Sequence, residues 1–175
     1  GPPPAIVDRV PGEAGSTRVH ATRCYEPWWR RCEDALDARL ALRLHDGNYL
    51  APPESITNAQ GARYRVFTPW YRALLGRMPP ALPYAAPDHI PAPEVWPASD
   101  NLAVWGLTPT SPDWAAGFGD WRPGEKGAWR ALRDWLPLAG DYKTRPDFPS
   151  PPATSRLSPH LHFGEISPRS IWHAL

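Results

Sequence analysis

The sequence is poor in cysteine and in net charge, and each shortage excludes a class of protein. Its two cysteines, Cys24 and Cys32, fit neither a disulfide framework nor a zinc site in number and spacing. We therefore expect two reduced thiols in a cytoplasmic protein. Lysine and arginine number 19, and aspartate and glutamate number 18. The chain as a whole therefore has no strong field, and a polyanion must be bound by a local cluster.

Long hydrophobic runs are also missing. No stretch of about 18 consecutive apolar residues occurs, which argues against a transmembrane helix and a membrane partner. The first residues, GPPPAIVDRV, lack the basic and apolar segments of a signal peptide. What the sequence has in excess is 25 prolines and 10 tryptophans. The prolines favour irregular segments, whereas so many aromatic residues are not typical of a disordered chain.

The first half of the chain predicts a parallel sheet. Residues 1–15 are rich in proline and glycine and predict a loose leader. Residues 16–21 predict a strand, and residues 26–40 predict a helix with Pro27 in its first turn. The following residues are apolar at alternate positions, which is typical of a second strand. A strand, a helix and a strand in this order indicate a βαβ unit.

The middle of the chain predicts one helix and a connector. Thr68 is placed to cap a helix that has Pro69 at its first position. Residues 78–97 are dense in proline, so they favour an extended linker over any interior strand or helix. A proline-rich ligand for an SH3-like module is the alternative interpretation of this segment.

The last third predicts two further helices. Residues 123–140 form an amphipathic pattern, with Ala128, Leu132, Trp135 and Leu136 on one face. Ser167 caps another helix, which has two turns, an apolar face and no evident packing partner before Leu175. We therefore expect the chain to be truncated at this end.

The segment TSRLSPHLHFGE, residues 154–165, has a composition that a hydrophobic core does not require. Three hydroxyl side chains and Arg156 precede a helix start at Pro159. Hydroxyls, free N–H groups at a helix start and a guanidinium suit a phosphate or pyrophosphate. The alternative is that the hydroxyls cap turns while Arg156 pairs with a carboxylate.

The other polar residues of this segment predict no chemistry by themselves. His160 and His162 are two residues apart, so they point to different sides of a helix and do not form a metal site. Glu165 has no second carboxylate spaced to work with it. We assign packing or capping roles to the histidines, no catalytic role to Glu165 and no metal to the chain.

The segment TSRLSPHLHFGEISPR, residues 154–169, closely resembles the flavin-phosphate signature of DNA photolyases and cryptochromes. Further segments resemble the family in the same order: TRCYEPWWRRCEDAL, YRVFTPWYRALL, LTPTSPDWAAGF, WRPGEKGAWRALRDWL and DYKTRPDFP. The resemblance runs from about Arg18 to Leu175. Within this family, the sequence resembles the class I cyclobutane pyrimidine dimer photolyases.

The resemblance implies an α/β fold followed by an all-α one, incomplete at both ends. Residues 1–77 would be the last part of a parallel-sheet antenna domain. Residues 78–100 would be the proline-rich linker between the domains. Residues 101–175 would begin the helical FAD-binding domain.

The resemblance also implies a cofactor and a reaction. FAD would be held by Tyr142, Thr154, Ser155, Arg156, Leu157 and Ser158, with the loop around the diphosphate. The complete enzyme would be a deoxyribodipyrimidine photo-lyase, in which light-driven electron transfer from reduced FAD splits pyrimidine dimers in DNA. Its partner would be UV-damaged DNA, with no membrane or protein partner, and it would be a monomer.

Three departures from the family pattern limit what is carried over. Pro146 stands where the family often has a DNA-contacting arginine, so Arg145 is a displaced candidate for that contact. Trp28 and Trp29 replace the polar pair of folate-binding members, which argues against a folate antenna and leaves open a deazaflavin, another chromophore or none. The catalytic residues are expected downstream of Leu175.

Two other functions remain open. A cryptochrome, which is a blue-light photoreceptor, shares the scaffold. A truncated and inactive product is the third possibility, because part of an FAD cavity is not expected to retain the flavin.

Overall fold

The computed structural model describes residues 3–108, 110–141 and 154–175. The helices and strands are α1 Pro3–Glu13, β1 Arg18–Thr22, α2 Pro27–Asp37, β2 Ala41–His45, α3 Phe67–Leu75, α4 Glu125–Trp135, α5 Ser158–His162 and α6 Pro168–Ala174. Short 3₁₀ turns cover Pro53–Ser55, Leu102–Trp105, Ala116–Phe118 and Leu136–Asp141.

The chain forms two compact units. Unit 1 combines residues 1–47 with 85–108, and unit 2 combines residues 48–84 with 109–175. Residues 78–100 contain no helix or strand. The domain boundaries at residues 77 and 100 stay predictions.

Unit 1 is built on the βαβ element that the sequence predicts. β1 and β2 pair in parallel, with Arg18 opposite Ala41 and Thr22 opposite His45. Pro27 begins α2, where its missing N–H leaves no hydrogen bond unmade. The parallel sheet with a helical crossover is therefore confirmed.

The prediction of a loose leader over residues 1–15 is wrong, because α1 occupies most of it. Prolines are tolerated in the first turn of a helix, where they break no internal hydrogen bond. An ion pair between Arg9 and Glu13 at 2.7 Å follows helical spacing. Asp8 also pairs with Arg39, just after α2, at 2.9 Å. Long-range contacts of this kind cannot be predicted from local composition.

The core of unit 2 lies on one face of α4. Ala128 and Leu132 are fully buried, and they pack with Leu157 and Ile166. Trp135 and Leu136 pack against this cluster from the same side of the helix. The predicted apolar face of α4 is therefore confirmed.

The C-terminal helix α6 has packing partners, so the prediction that it lacks them is wrong. Ile171 and Ala174 pack against the core cluster of α4. The Nε2 of His173 donates a hydrogen bond to the carbonyl of Pro80 at 2.9 Å. The predicted cap is present, because the Ser167 hydroxyl accepts from the N–H of Ser170 at 3.0 Å.

The predicted start of α3 is also corrected. The helix begins at Phe67, and Val66 is its N-cap. Thr68 lies inside the first turn, and no side chain caps the helix. The extended residue before the helix is therefore Val66, two residues earlier than the predicted cap Thr68.

No helix within the described residues is both long enough and apolar enough to cross a membrane.

Candidate functional site

A cavity of about 500 Å³ lies within unit 2. The turn at residues 119–122, one side of α4, the predicted phosphate loop and α5 enclose it. Its lining residues are Gly119, Asp120, Trp121, Arg122, Gly127, Arg130, Ala131, Asp134, Trp135, Leu138, Thr154, Ser155, Arg156 and His160. A volume of this size is typical of a site for a small molecule or cofactor.

Helix α4 lines the cavity with one of its sides and packs into the core of unit 2 with the adjacent side. Gly127, Arg130, Ala131 and Asp134 follow helical spacing along the cavity. The adjacent side carries the buried core residues, so packing fixes the rotation of the helix. The cavity wall is thereby held rigidly by the core of unit 2.

Gly127 brings the turn before α4 against the helix. A Cβ atom at this position would lie 1.7 Å from the Arg122 carbonyl oxygen. Only glycine allows this close approach. Trp121 and Arg122 therefore form a wall next to the first turn of α4. Sequence reasoning missed this residue, although a glycine inside a helical pattern often marks a close backbone approach.

The predicted phosphate loop is anchored at Leu157. This side chain is buried in the core cluster, and its N–H donates to the Ser155 hydroxyl at 3.4 Å. Arg156, between them, has a φ of 52°, which is the left-handed region. Its guanidinium carbon lies 4.2 Å from the centre of the Trp121 ring, within the range of a cation–π contact.

The end of α5 forms a Schellman motif. The N–H of Glu165 donates to the His160 carbonyl at 2.8 Å, and the N–H of Gly164 donates to the Leu161 carbonyl at 3.2 Å. Gly164 has a φ of 69°, which this motif requires. The same turn brings the two side chains at its ends together, so that Nδ1 of His160 and Oε2 of Glu165 lie 2.5 Å apart.

Glu165 links the end of α5 to the start of α4. The hydrogen bond from His160 is the main cause that lowers the pKa of the Glu165 carboxyl below 4.5. A hydrogen bond with the backbone of Gly124, the N-cap of α4, lowers this pKa further. The carboxylate therefore holds the buried His160 ring in place where it lines the cavity.

Charged side chains of both signs line the cavity. Arg122, Arg130 and Arg156 stand against Asp120 and Asp134. Arg130 pairs with Asp134 at 3.7 Å, which satisfies part of this charge within α4. The arrangement suits an anionic ligand near the loop, where hydroxyl groups and a guanidinium lie together.

The predicted cofactor residues occupy different places. Thr154, Ser155 and Arg156 line the cavity. Leu157 lies in the core, so only its backbone is available to a ligand. Ser158 is the first residue of α5 and is exposed.

Other predicted residues fall elsewhere. Tyr142 and Arg145 lie outside the described residues. Sequence reasoning treated His160 and Glu165 separately and missed their pairing, for which the glycine between them was the available signal. Among the residues that the structure describes, no group of three or more potential ligands could hold a metal ion.

Comparisons with known proteins agree in the family that they indicate. A model of the DNA photolyase family matches residues 1–93. The deoxyribodipyrimidine photo-lyase of Agrobacterium fabrum is 44% identical over 169 residues, which are 93% of this chain and 35% of that protein. Cryptochrome-1 of Arabidopsis thaliana is 29% identical over 167 residues, which are 91% of this chain and 24% of that protein.

The fold is similar to a solved photolyase. The crystal structure of a bacterial class III photolyase from Agrobacterium tumefaciens matches with a TM-score of 0.91 and 41% identity. The match covers 99% of this chain and 38% of that one. The chain thus spans little more than a third of the length of these two photolyases.

Proposed function

Because this chain belongs to the DNA photolyase family, we propose that it carries part of a deoxyribodipyrimidine photo-lyase. The reaction would be the splitting of cyclobutane pyrimidine dimers in DNA with blue light and reduced FAD. The observation that carries this proposal is the cavity of unit 2, where Thr154, Ser155 and Arg156 of the signature loop meet α4.

The residues present fit a flavin dinucleotide at its diphosphate. Hydroxyl groups of Thr154 and Ser155 are donors for phosphate oxygens, and Arg156 adds a planar, permanent positive charge. Helix α5 is only five residues long, so these side chains contribute more than its dipole. Tyr142, Leu157 and Ser158 complete the proposed FAD-binding set.

The chemistry of the reaction belongs mainly to the cofactor. When bound, reduced FAD supplies the electron that light transfers to the dimer. In this proposal Thr154, Ser155 and Arg156 would bind the diphosphate of the flavin dinucleotide. The damaged bases must leave the stack to reach the flavin, and the damage itself lowers the free energy of that step.

The proposed layout follows the family. Unit 1 contains the parallel sheet of an antenna-type α/β domain, and α4, α5 and α6 begin a helical FAD domain. The solved relative is a class III photolyase, whereas the sequence resemblance predicted class I, and the subclass stays a prediction. The identity of an antenna chromophore and the DNA contact of Arg145 stay predictions too.

A cryptochrome is the second candidate function, since a plant cryptochrome is also similar to this chain. The higher identity to a photo-lyase favours repair. The two functions differ in whether light removes dimers from DNA, and that difference decides between them.

The test uses the full-length protein with reduced FAD, blue light and DNA that contains thymine dimers. We expect dimers to disappear under illumination and to persist in the dark. A protein that holds FAD stoichiometrically yet leaves the dimers intact would contradict repair and favour the photoreceptor.

A variant pair tests the site itself. Replacement of both loop hydroxyls, Thr154→Ala with Ser155→Ala, should weaken FAD binding by at least about a hundredfold, because each charge-assisted hydrogen bond to a phosphate contributes about 1.5–3 kcal/mol and every 1.4 kcal/mol is a factor of about ten. Ser99→Ala, an exposed serine of unit 1, is the control and should bind FAD as the wild type does. Unchanged affinity of the double variant would place the diphosphate elsewhere.

A further inference from the structure

We propose that Trp121 is a positioning residue, whose indole ring holds the guanidinium of Arg156 at the cavity for a phosphate group of the ligand. Arg156 lies in the flavin-phosphate signature, whereas Trp121 precedes it by 35 positions and begins a separate segment that resembles the family. Only the fold brings the two side chains together at the cavity wall.

The geometry is that of a face contact. The guanidinium carbon of Arg156 lies 4.2 Å from the centre of the Trp121 ring, and tryptophan is the best aromatic partner for a cation. A guanidinium that stacks through its face keeps its N–H groups free along its edge. The ring can therefore hold the arginine without using the donors that bind a phosphate in a bidentate way.

The backbone supports the same role. Among the described residues other than glycine, Arg156 alone has a positive φ. Such a conformation is unfavourable for a side chain with a Cβ, and it persists where the surroundings fix it. Here the buried Leu157 and the Ser155 hydroxyl fix the loop on either side. Backbone and ring together give Arg156 one direction, toward the cavity.

A fixed direction matters because a free arginine loses side-chain entropy when it binds a ligand. Trp121 removes part of that loss before binding. The backbone at Trp121 is held in place, because its N–H donates to the Phe118 carbonyl at 2.9 Å and Gly127 lets the next residue, Arg122, pack directly against α4. Helix α4 thus supports the backbone that carries the indole ring, and the ring contacts the guanidinium.

This inference rests on the proposed function only in assigning a phosphate ligand to the cavity, so inorganic pyrophosphate is the probe. Its affinity is measured by calorimetry in the full-length protein for the wild type, Trp121→Leu, Trp121→Phe, Arg156→Gln and the double variant Trp121→Leu with Arg156→Gln. Trp114→Leu and Arg133→Gln are matched controls, since both residues are exposed and neither lines the cavity.

We expect Trp121→Leu to weaken pyrophosphate binding about two- to fivefold, which corresponds to an exposed cation–π contact. Trp121→Phe should restore affinity to within about twofold, because it keeps an aromatic face. Arg156→Gln should weaken binding on the order of tenfold, and Trp121→Leu should add nothing in its presence. Both controls should match the wild type.

A second measurement separates positioning from folding. The Nε proton of Arg156 should show an upfield ring-current shift in NMR spectra of the wild type, and Trp121→Leu should remove it while the amide spectrum stays folded. The inference is overturned if the wild type does not bind pyrophosphate, if Trp121→Leu binds it as the wild type does, or if the two substitutions act additively.

The outcomes also separate this inference from the proposed function. Pyrophosphate binding with the expected pattern, but without FAD binding or repair, would refute the photo-lyase and leave the role of Trp121 standing. Repair activity with a wild-type affinity for pyrophosphate in Trp121→Leu would refute only the positioning role.

Discussion

Arg156 has a backbone conformation that glycine adopts more readily than arginine does. Arg156→Ala and Arg156→Gly both remove the guanidinium. A difference in their stability therefore measures how well alanine and glycine each tolerate the left-handed backbone at this position. We expect the glycine variant to be more stable than the alanine variant by about 1 kcal/mol, as measured by urea unfolding.

Arg133 provides the opposite case, because it lies inside the regular helix α4. There the alanine variant should be more stable than the glycine variant by about 1 kcal/mol. The same order of stability at both positions would contradict a left-handed Arg156.

Because of the Glu165 carboxyl, we expect the free energy of unfolding to depend on pH in the acid range. Its pKa is lowered in the folded protein, mainly by the hydrogen bond from His160. The unfolded state therefore binds more protons near pH 4, and the free energy of unfolding rises with pH there. This contribution is fully present above the ordinary pKa of 4.5 and is lost as the pH falls through the lower folded value.

The measurement is urea unfolding between about pH 3 and pH 6, a range that includes the ordinary pKa of 4.5 for this carboxyl. Glu165→Gln should flatten the acid side of the stability curve. Glu94→Gln, an exposed carboxylate of unit 1, should leave that slope in place. A slope unchanged in Glu165→Gln would assign the acid dependence to other groups.

The pairing of His160 with Glu165 depends on the backbone turn between them and not on the residue types alone. The sequence predicted a hydroxyl-rich loop with Arg156, because those residue types have the chemistry of anion binding by themselves. It could not predict the pair, since the two side chains meet only when Gly164 turns the chain in the left-handed region.

At the scale of elements, Gly127 sets how α4 meets the preceding turn. Alanine is favoured over glycine in a helix by about 1 kcal/mol, but its Cβ would lie 1.7 Å from the Arg122 carbonyl oxygen. Backbone atoms cannot move aside as a flexible side chain can. We therefore expect Gly127→Ala to lower the free energy of unfolding by about 1–3 kcal/mol.

Gly140 is the matched control, since a Cβ there would have no heavy atom within 4 Å. Gly140→Ala should leave urea unfolding close to that of the wild type. If Gly127→Ala proved as stable as Gly140→Ala, the close approach of the turn to α4 would be wrong.

Elements were predictable where their pattern is local. The apolar spacing of α4 and the strand–helix–strand order of β1, α2 and β2 follow from neighbouring residues. Helix α1 was missed because residues 1–15 are rich in proline and glycine, whereas its ion pair with Arg39, beyond α2, joins residues that are distant in sequence. The partners of α6 were missed for the same reason, since they lie far away in sequence.

At the scale of the whole molecule, burial is unevenly shared between the two units. The buried apolar side chains of the described residues, Ile56, Ala128, Leu132, Leu157 and Ile166, all belong to unit 2. The two-stranded sheet of unit 1 contains no buried side chain, and a sheet of two strands is marginal by itself.

Hydrogen exchange should follow this division. We expect the amides of α4 to exchange more slowly than those of β1 and β2, because they open only with the core cluster. Mass spectrometry of peptides from the two regions measures the difference. Equal protection of the sheet and α4 would show that unit 1 has stabilising contacts beyond the described ones.

The hydrogen bond between His173 and Pro80 joins residues that are 93 positions apart. Unit 2 consists of two segments, residues 48–84 and 109–175, and the residues between them, 85–108, belong to unit 1. During synthesis on a ribosome, at about 5–20 residues per second, Pro80 therefore emerges several seconds before its hydrogen-bond partner His173. The core of unit 2 is therefore completed only after Ile171 and Ala174 of α6 have been synthesised.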